Sequence, residues 1–287
     1  MLPFEYERPE SLQQTLSILE KRAAGARLLA GGTDLMVGLR HGTVRPSVVV
    51  DLKRIEDLPP AVTRANGYVT IGATAVLSSL VDNGDIGTYF PALIEAVQTV
   101  GSIQIRNRAT LVGNVCNASP AADTVPALLV YGALVHLTGR SGTRHLPLDE
   151  FILGPRRTAL EPGELVTSLS LPTPERPAGV AFARMTRRRG VDLATINLCC
   201  SIDSAGVVSF AYGAVGPRPF LVTDGTGALA DPGLPEGAQE ALLSELVGYA
   251  APITDLRASR EYRQAMLLVL SRRTLRIAAT RLSAVAK

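Results

Sequence analysis

The fold of this 287-residue chain is decided by the stretch Leu28-Leu29-Ala30-Gly31-Gly32-Thr33-Asp34-Leu35, which has a counterpart further along at Thr110-Leu111-Val112-Gly113-Asn114. Each stretch follows an apolar or strand-like segment. Glycine has no Cβ atom, so a turn that contains it can be tight and can bring backbone N–H groups close to phosphate oxygens. A single such turn is equally consistent with a plain strand-to-helix connection. The pair predicts two halves of a cradle for one diphosphate.

Polar groups around both glycine turns suit a nucleotide. In the first turn, we expect the N–H groups of Gly31, Gly32 and Thr33 to bind the diphosphate, the Thr33 hydroxyl to add a donor, and Asp34 to cap the following turn. The spacing is not the Gly-x-Gly-x-x-Gly of an ordinary Rossmann site.

The second turn belongs to a polar stretch, residues 105–123, that lies between two apolar helical segments. Its neutral donors and acceptors suit a ribityl chain and phosphates, and they are Thr110, Asn114, Asn117 and Ser119. Asp123 is suited to accept hydrogen bonds from sugar hydroxyls. The alternative is that these groups cap one another and the flanking helices.

Composition excludes several classes of protein. Hydrophobic residues make up 46% and charged residues 19%, as in a globular protein. Aromatic residues are only 5% and the net charge is +3, which argues against a nucleic-acid partner. The three cysteines have no Cys-x-x-Cys spacing, so we expect no metal or iron–sulfur cluster in this chain. No segment resembles a leader or a membrane span, and a cytoplasmic location is expected.

Periodicity predicts an α+β protein with two domains. Residues 1–176 form the first, with lobes at about 1–55 and 56–176, and residues 177–287 form the second, after a proline cluster at 172, 174 and 177. Strands are expected at 47–52, 67–72, 133–138 and 164–171, and three more at 180–186, 193–202 and 207–215. We expect the C-terminal helix to pack on that three-stranded antiparallel sheet.

The two glycine stretches resemble the two flavin-binding motifs of the FAD subunit of molybdenum hydroxylases, the xanthine dehydrogenase and carbon monoxide dehydrogenase medium-chain family. Further similar stretches are Arg184-Met185-Thr186-Arg187-Arg188-Arg189, Tyr212-Gly213-Ala214-Val215-Gly216-Pro217 and Asp255-Leu256-Arg257-Ala258-Ser259-Arg260-Glu261-Tyr262-Arg263. The resemblance covers nearly the whole chain. It implies a two-lobed FAD-binding domain of the PCMH type, followed by a smaller C-terminal domain, with noncovalent FAD between them.

The resemblance also implies which residues bind FAD. They are Leu29, Ala30, Gly31, Gly32, Thr33, Asp34, Leu35, Gly101, Thr110, Gly113, Asn114, Cys116, Asn117, Ala122, Asp123, Leu165, Val166 and Arg184. Arg184 stands where a lysine often lies near the flavin ring, and a cation there would stabilise the anionic reduced flavin. The family motif has glycine where this chain has Val112, and valine does not readily adopt positive φ.

By the same resemblance, the chain is an electron-transfer subunit. Electrons would come from the two [2Fe–2S] clusters of a small subunit, fed by a large molybdopterin subunit, and pass through FAD to NAD, a quinone or oxygen, in an (αβγ)2 assembly. We expect no catalytic acid, base, nucleophile or metal ligand in this chain. Two alternatives stay open: a self-contained flavin oxidoreductase and a cofactor-free scaffold. The run Arg187–Arg189 is a solvated basic face or a docking patch for a partner subunit or for the FAD phosphates.

Overall fold

The computed structural model describes residues 2–22 and 25–285. These residues form three sheets with their helices and one short hairpin. Within these ranges, no helix combines the length and the apolar character needed to cross a bilayer.

The N-terminal lobe is a small parallel sheet with two helices. Its elements are β1 (Glu5–Glu7), α1 (Leu12–Arg22), β2 (Ala26–Leu29), α2 (Leu35–His41) and β3 (Val48–Asp51). The strand order is β1-β3-β2, with Leu29 at the end of β2 opposite Asp51 at the end of β3. Val48 and Val50 are buried against Leu19 of α1, so an apolar core holds the first glycine turn in place after β2.

The second lobe is a five-stranded antiparallel sheet covered by helices, in the order β4-β5-β10-β6-β7. The five strands of the sheet are β4 (Val62–Ala65), β5 (Tyr68–Gly72), β6 (Leu134–Gly139), β7 (Gly142–Pro147) and β10 (Leu165–Pro172). A separate hairpin lies between β7 and β10 in sequence and consists of β8 (Ile152–Gly154) and β9 (Arg157–Thr158). The helices of this lobe are α3 (Leu77–Val81), α4 (Gly84–Tyr89), α5 (Pro91–Thr99), α6 (Ile103–Arg106), α7 (Leu111–Cys116), α8 (Thr124–Val130) and α9 (Leu148–Phe151). The sheet and helices share the largest apolar core of the described residues.

The C-terminal part is an antiparallel sheet backed by two helices. Its elements are β11 (Ala178–Met185), β12 (Ile196–Asp203), β13 (Val208–Gly213), β14 (Phe220–Asp224), α10 (Glu236–Val247) and α11 (Arg260–Val285). The prediction of three strands was wrong by one, because β14 pairs with β13 and makes a sheet of four. Pro217 and Pro219 lie just before β14. Because prolines are typical of turns, they obscure the short alternation of apolar and polar residues that would predict a strand here.

The long C-terminal helix packs on this sheet, as predicted. Leu267, Leu275 and Ala278 of α11 are buried in the core that the sheet and α10 share. Gly179 of β11 lies against the helix backbone, and a Cβ atom there would come within 1.9 Å of the Ala278 carbonyl oxygen. The close contact requires glycine at this position.

Helix α5 connects the two halves of the molecule through the outer edge of β11. The Glu95 carboxylate accepts the Phe182 N–H at 3.1 Å and pairs with Arg281, whose guanidinium also donates to the Val180 carbonyl at 2.6 Å. An edge strand otherwise exposes such backbone groups. Glu95 and Arg281 therefore satisfy the edge of the C-terminal sheet and fix it to α5.

We expect Glu95→Ala to lower the free energy of unfolding by roughly 1–3 kcal/mol, because it leaves the Phe182 N–H and the Arg281 guanidinium without their acceptor. Urea denaturation followed by circular dichroism measures the change. Glu5→Ala is the matched control, since Glu5 forms an exposed ion pair with Arg22 and such pairs contribute at most about 1 kcal/mol. Equal effects of the two substitutions would contradict the role given to Glu95.

Candidate functional site

The first glycine turn connects β2 to α2 and leaves its backbone donors free. Gly32 has φ +76°, a left-handed conformation that favours glycine. Among the described residues, no acceptor takes up the N–H groups of Gly31, Gly32, Thr33 or Asp34. A run of unpaired N–H groups in one turn has the chemistry needed to bind an anion.

Asp34 does not cap α2, contrary to the prediction. It has helical dihedral angles, with φ −88° and ψ −43°, and its side chain makes no capping bond. Its Oδ1 instead accepts the side-chain amide of Asn117 at 3.3 Å, a contact across 83 positions of sequence. Asp34 therefore links the first turn to the second.

The two turns touch at Gly31. A Cβ atom at Gly31 would lie 2.0 Å from the Arg108 carbonyl oxygen and 2.9 Å from the Ala109 Cα. Contacts between real side chains and backbone are never this short, so only glycine permits this packing. The absent side chain at Gly31 thus allows the two turns to form one surface.

The second turn is the start of a helix, which differs from the predicted glycine loop. Thr110 is the N-cap of α7, and its hydroxyl accepts the Gly113 N–H at 3.0 Å. Val112 lies inside α7 and is not among the residues with positive φ, so its valine side chain causes no backbone strain. Its N–H group has no acceptor within residues 2–22 and 25–285.

The side chains that follow Thr110 are largely engaged with one another. Asn114 Oδ1 accepts the Thr124 hydroxyl at 2.7 Å. Asn117 donates to Asp34 and accepts from Arg156 at 3.4 Å. Burial raises the pKa of Cys116 to about 12, so its thiol stays neutral and is not a nucleophile at physiological pH. The predicted polar cluster exists, and part of it serves the alternative role of mutual capping.

Asp123 and Arg184 form a buried ion pair between the second lobe and the C-terminal sheet. The Arg184 guanidinium donates to Asp123 Oδ2 at 2.6 Å and to the Thr99 carbonyl at 2.8 Å. Asp123 Oδ1 accepts the side-chain amide of Asn197 at 2.9 Å. Burial raises the pKa of Asp123, while Asn197 and Arg184 act against that shift. Arg184 is therefore a neutralised cation rather than a free one.

The remaining predicted residues differ in their setting. Gly101 has φ +53° and follows shortly after the Thr99 carbonyl that Arg184 binds. Leu165 and Val166 are buried at the start of β10, and Ala122 is buried beside Asp123. Leu165 packs into the core of the first lobe. Because the side chains of Leu165 and Val166 are buried, any contact with a ligand would be through backbone atoms, and their place beside FAD stays a prediction.

Sequence patterns missed three residues of this region, Lys53, Arg156 and Asn197. Lys53 Nζ contacts the Ala30 carbonyl at 3.4 Å and pairs with Asp51. Arg156 has φ +55° and donates its N–H to the Ala118 carbonyl at 2.9 Å, besides its contact with Asn117. Nothing in the local sequence indicates these contacts, since all but the Lys53–Asp51 pair join distant segments.

Comparison with known proteins identifies the family. Residues 2–174 match the family described as FAD binding domain in molybdopterin dehydrogenase. The chain belongs to this family. Residues 181–278 match a second family, the CO dehydrogenase flavoprotein C-terminal domain.

Individual relatives and structures agree with this assignment. The glyceraldehyde dehydrogenase medium chain of Sulfolobus acidocaldarius is 30% identical over 271 residues, covering 93% of this chain and 95% of the relative. The xanthine dehydrogenase FAD-binding subunit of Escherichia coli O157:H7 is 27% identical over 275 residues, with 94% of each covered. A chain of carbon monoxide dehydrogenase from Hydrogenophaga pseudoflava superposes with a TM-score of 0.90 at 28% identity, covering 98% of this chain and 99% of that one.

The contact at Gly31 predicts the effect of a single methyl group. We expect Gly31→Ala to push the two turns apart and to weaken FAD binding roughly tenfold or more, the loss of about one charge-assisted hydrogen bond. Titration of the apoprotein with FAD, followed by flavin fluorescence, measures the dissociation constant. Gly237→Ala is the control, because that helical glycine has nothing within 4 Å of the added Cβ. Unchanged affinity in Gly31→Ala would contradict this geometry.

Proposed function

We propose that this chain is the FAD-binding electron-transfer subunit of a heteromeric molybdenum hydroxylase. One observation supports the proposal most: a turn with four free N–H groups, Gly31 to Asp34, meets the second turn at Gly31, and the Val112 N–H of that second turn is also without an acceptor among the described residues. Each N–H bond to a charged diphosphate contributes about 1.5–3 kcal/mol. The free donors, the lack of side chains at the glycines and the neutral polar groups nearby fit FAD.

The residues proposed to hold FAD fall into three groups along the ligand. The diphosphate group contains Leu29, Ala30, Gly31, Gly32, Thr33, Asp34 and Leu35. The opposite side contains Thr110, Gly113, Asn114, Cys116 and Asn117. The ribityl, adenosine and ring portions take Gly101, Ala122, Asp123, Leu165, Val166 and Arg184. In the first group we assign binding mainly to the backbone N–H groups of Gly31 to Asp34, which have no acceptor among the described residues. In the second group the N–H groups of Gly113, Asn114 and Asn117 are paired around α7, so we assign contact there to the Val112 N–H and to polar side chains.

The chain itself supplies position and electrostatics rather than reacting groups. Bound FAD supplies the redox chemistry, since a flavin takes up electrons singly and releases them as a pair. Within the described residues, no cluster of His, Cys, Asp and Glu has the geometry to hold a metal ion. We therefore assign the molybdopterin and the [2Fe–2S] clusters to partner subunits.

The proposed assembly contains a large molybdopterin subunit and a small [2Fe–2S] subunit, doubled to (αβγ)2. Relatives include carbon monoxide dehydrogenase medium chains, a name that indicates larger and smaller companion chains. We place the complex in the cytoplasm. An external acceptor, NAD, a quinone or oxygen, takes the electrons from the flavin.

Purification of the tagged chain from its native source tests this function. The expected product is yellow, releases FAD on denaturation and contains molybdenum and iron in co-purifying chains. Flavin without molybdenum or iron in an active preparation supports a self-contained oxidoreductase instead. Colourless protein that does not bind added FAD supports a cofactor-free scaffold and contradicts the proposal.

Removing the charge of Asp123 tests how the Asp123–Arg184 ion pair acts on the flavin. We expect Asp123→Asn to raise the midpoint potential of the bound flavin, because the guanidinium of Arg184 becomes an uncompensated cation near the anionic reduced ring. Spectroelectrochemical titration measures the potential. Asp85→Asn is the control, since Asp85 forms an exposed pair with Arg64 in a different part of the second lobe. A potential that falls or stays constant in Asp123→Asn would show that Arg184 does not act on the ring.

A further inference from the structure

Leu256 is exposed almost completely on a rigid turn. It lies between α10 and α11, and its side chain is 97% accessible to solvent. The turn is closed by the Asp255 N–H, which donates to the Ala258 carbonyl at 3.1 Å. The Asp255 carboxylate in turn accepts the N–H groups of Arg257 and Ala258 at 2.8 and 3.3 Å. Local hydrogen bonds of Asp255, Arg257 and Ala258 therefore define the turn that presents this leucine.

A buried arginine fastens this turn to the core of the C-terminal sheet. Arg263 is 2% exposed and donates to Asp255 Oδ1 at 2.7 Å. Its other guanidinium nitrogen donates to the carbonyls of Thr195 and Ala214, at 2.6 and 2.9 Å. Burying an arginine costs several kcal/mol of desolvation, which these bonds offset. Arg263 therefore ties the turn that carries Leu256 to the segments next to β12 and β13.

Two other exposed apolar side chains, Val191 and Leu193, lie in the segment next to Leu256. Arg187 donates to the Leu256 carbonyl at 3.4 Å and forms two hydrogen bonds with Asp192, so the segment around Asp192 is adjacent to the turn. Val191 and Leu193 flank Asp192 and are 53% and 56% exposed. Next to them is a hollow of about 340 Å³, lined by Met185, Thr186, Arg187, Thr195, Arg257, Ala258 and Tyr262. A projecting leucine and a neighbouring hollow together make a shaped surface, which we call the Leu256 surface.

The Leu256 surface carries an excess of positive charge. The surface is formed by residues 185–195 and by residues 255–262. These two segments contain five solvent-accessible arginines, Arg187, Arg188, Arg189, Arg257 and Arg260. They contain three carboxylates: Asp192 pairs with Arg187, and Asp255 pairs with Arg257 and the buried Arg263. Among the described residues, this leaves Arg188, Arg189 and Arg260 against the single carboxylate of Glu261. A complementary partner must therefore bring carboxylates around an apolar socket.

We propose that the Leu256 surface is the docking site for an acidic face of another protein subunit of the same enzyme. The inference rests on the proposed function, which requires such subunits. Leu256 inserts into an apolar socket of the partner, and the partner's carboxylates pair with the surrounding arginines. Because the turn is ordered before binding, little conformational entropy is lost on association. A second copy of this chain does not fit, since a two-fold contact would oppose arginine to arginine.

Site-specific photocrosslinking in the native complex tests the contact. The chain carries p-benzoylphenylalanine at position 256, or at position 221 as a control, because Leu221 is also an exposed leucine but lies on β14. We expect position 256 to crosslink to a molybdenum-bearing or iron–sulfur chain, at a peptide containing Asp or Glu, and position 221 to give no such product. A crosslink from position 256 to a second copy of this chain, or no crosslink to any subunit, overturns the proposal.

Truncation of the leucine gives a second, independent measurement. We expect Leu256→Ala to weaken subunit association roughly 10- to 100-fold, the equivalent of about 1.5–3 kcal/mol for a buried leucine. Mass photometry of the diluted complex measures association, and Leu221→Ala is the control. FAD content per chain stays unchanged in both variants. Association of Leu256→Ala equal to that of the wild type contradicts the docking site, whereas a wild-type chain without FAD or metal-bearing partners contradicts the proposed function itself.

A membrane surface is the other partner that a basic, apolar-tipped surface can bind. Flotation with vesicles of phosphatidylserine and phosphatidylcholine separates the two cases. We expect no flotation of the wild-type chain, because one leucine provides too little apolar area for stable membrane binding. Flotation that is lost in Leu256→Ala would overturn the protein-docking proposal.

Discussion

The structure depends on one close approach, between the backbone of Gly31 and the carbonyl of Arg108. It joins the parallel sheet of the first lobe to the helical side of the second lobe, next to the N–H groups of Gly31 to Asp34 and of Val112, which have no acceptor among the described residues. A Cβ atom at this position would lie 2.0 Å from the Arg108 carbonyl oxygen, so the two turns would have to move apart. The hydrogen bond between Asn117 and Asp34 then holds the turns in register.

Two helices of the second lobe, α5 and α8, pack against the C-terminal sheet, and α5 also binds its edge through side chains. Glu95 in the middle of α5 binds the edge of β11, and the Thr99 carbonyl at its end accepts Arg184. Arg184 and Asn197 both bind Asp123, which belongs to the polar stretch of the second turn. The proposed ring end of the ligand therefore lies where the second lobe and the C-terminal sheet share buried polar contacts. The chain provides rigid geometry there, as expected for a subunit that positions a redox cofactor.

Local sequence patterns predicted much of the fold, whereas contacts between residues far apart in sequence could not be predicted. Glycine content and strand periodicity correctly indicated the first turn, the strand at Val48–Asp51 and the packing of the last helix. The fourth strand, Phe220–Asp224, was missed because prolines precede it. The partner of Asp34 and the ion pair of Arg184 were missed because each joins residues far apart in sequence. The domain boundary at 176 stays a prediction.

Hydrogen exchange of the backbone amides tests the shared site most directly. Mass spectrometry compares exchange in the apoprotein and after addition of FAD. If both turns bind one diphosphate, peptides that contain Gly31–Asp34 and peptides that contain Leu111–Gly113 become protected together, with the same dependence on FAD concentration. Protection confined to one of the two turns, or to neither, would contradict the account.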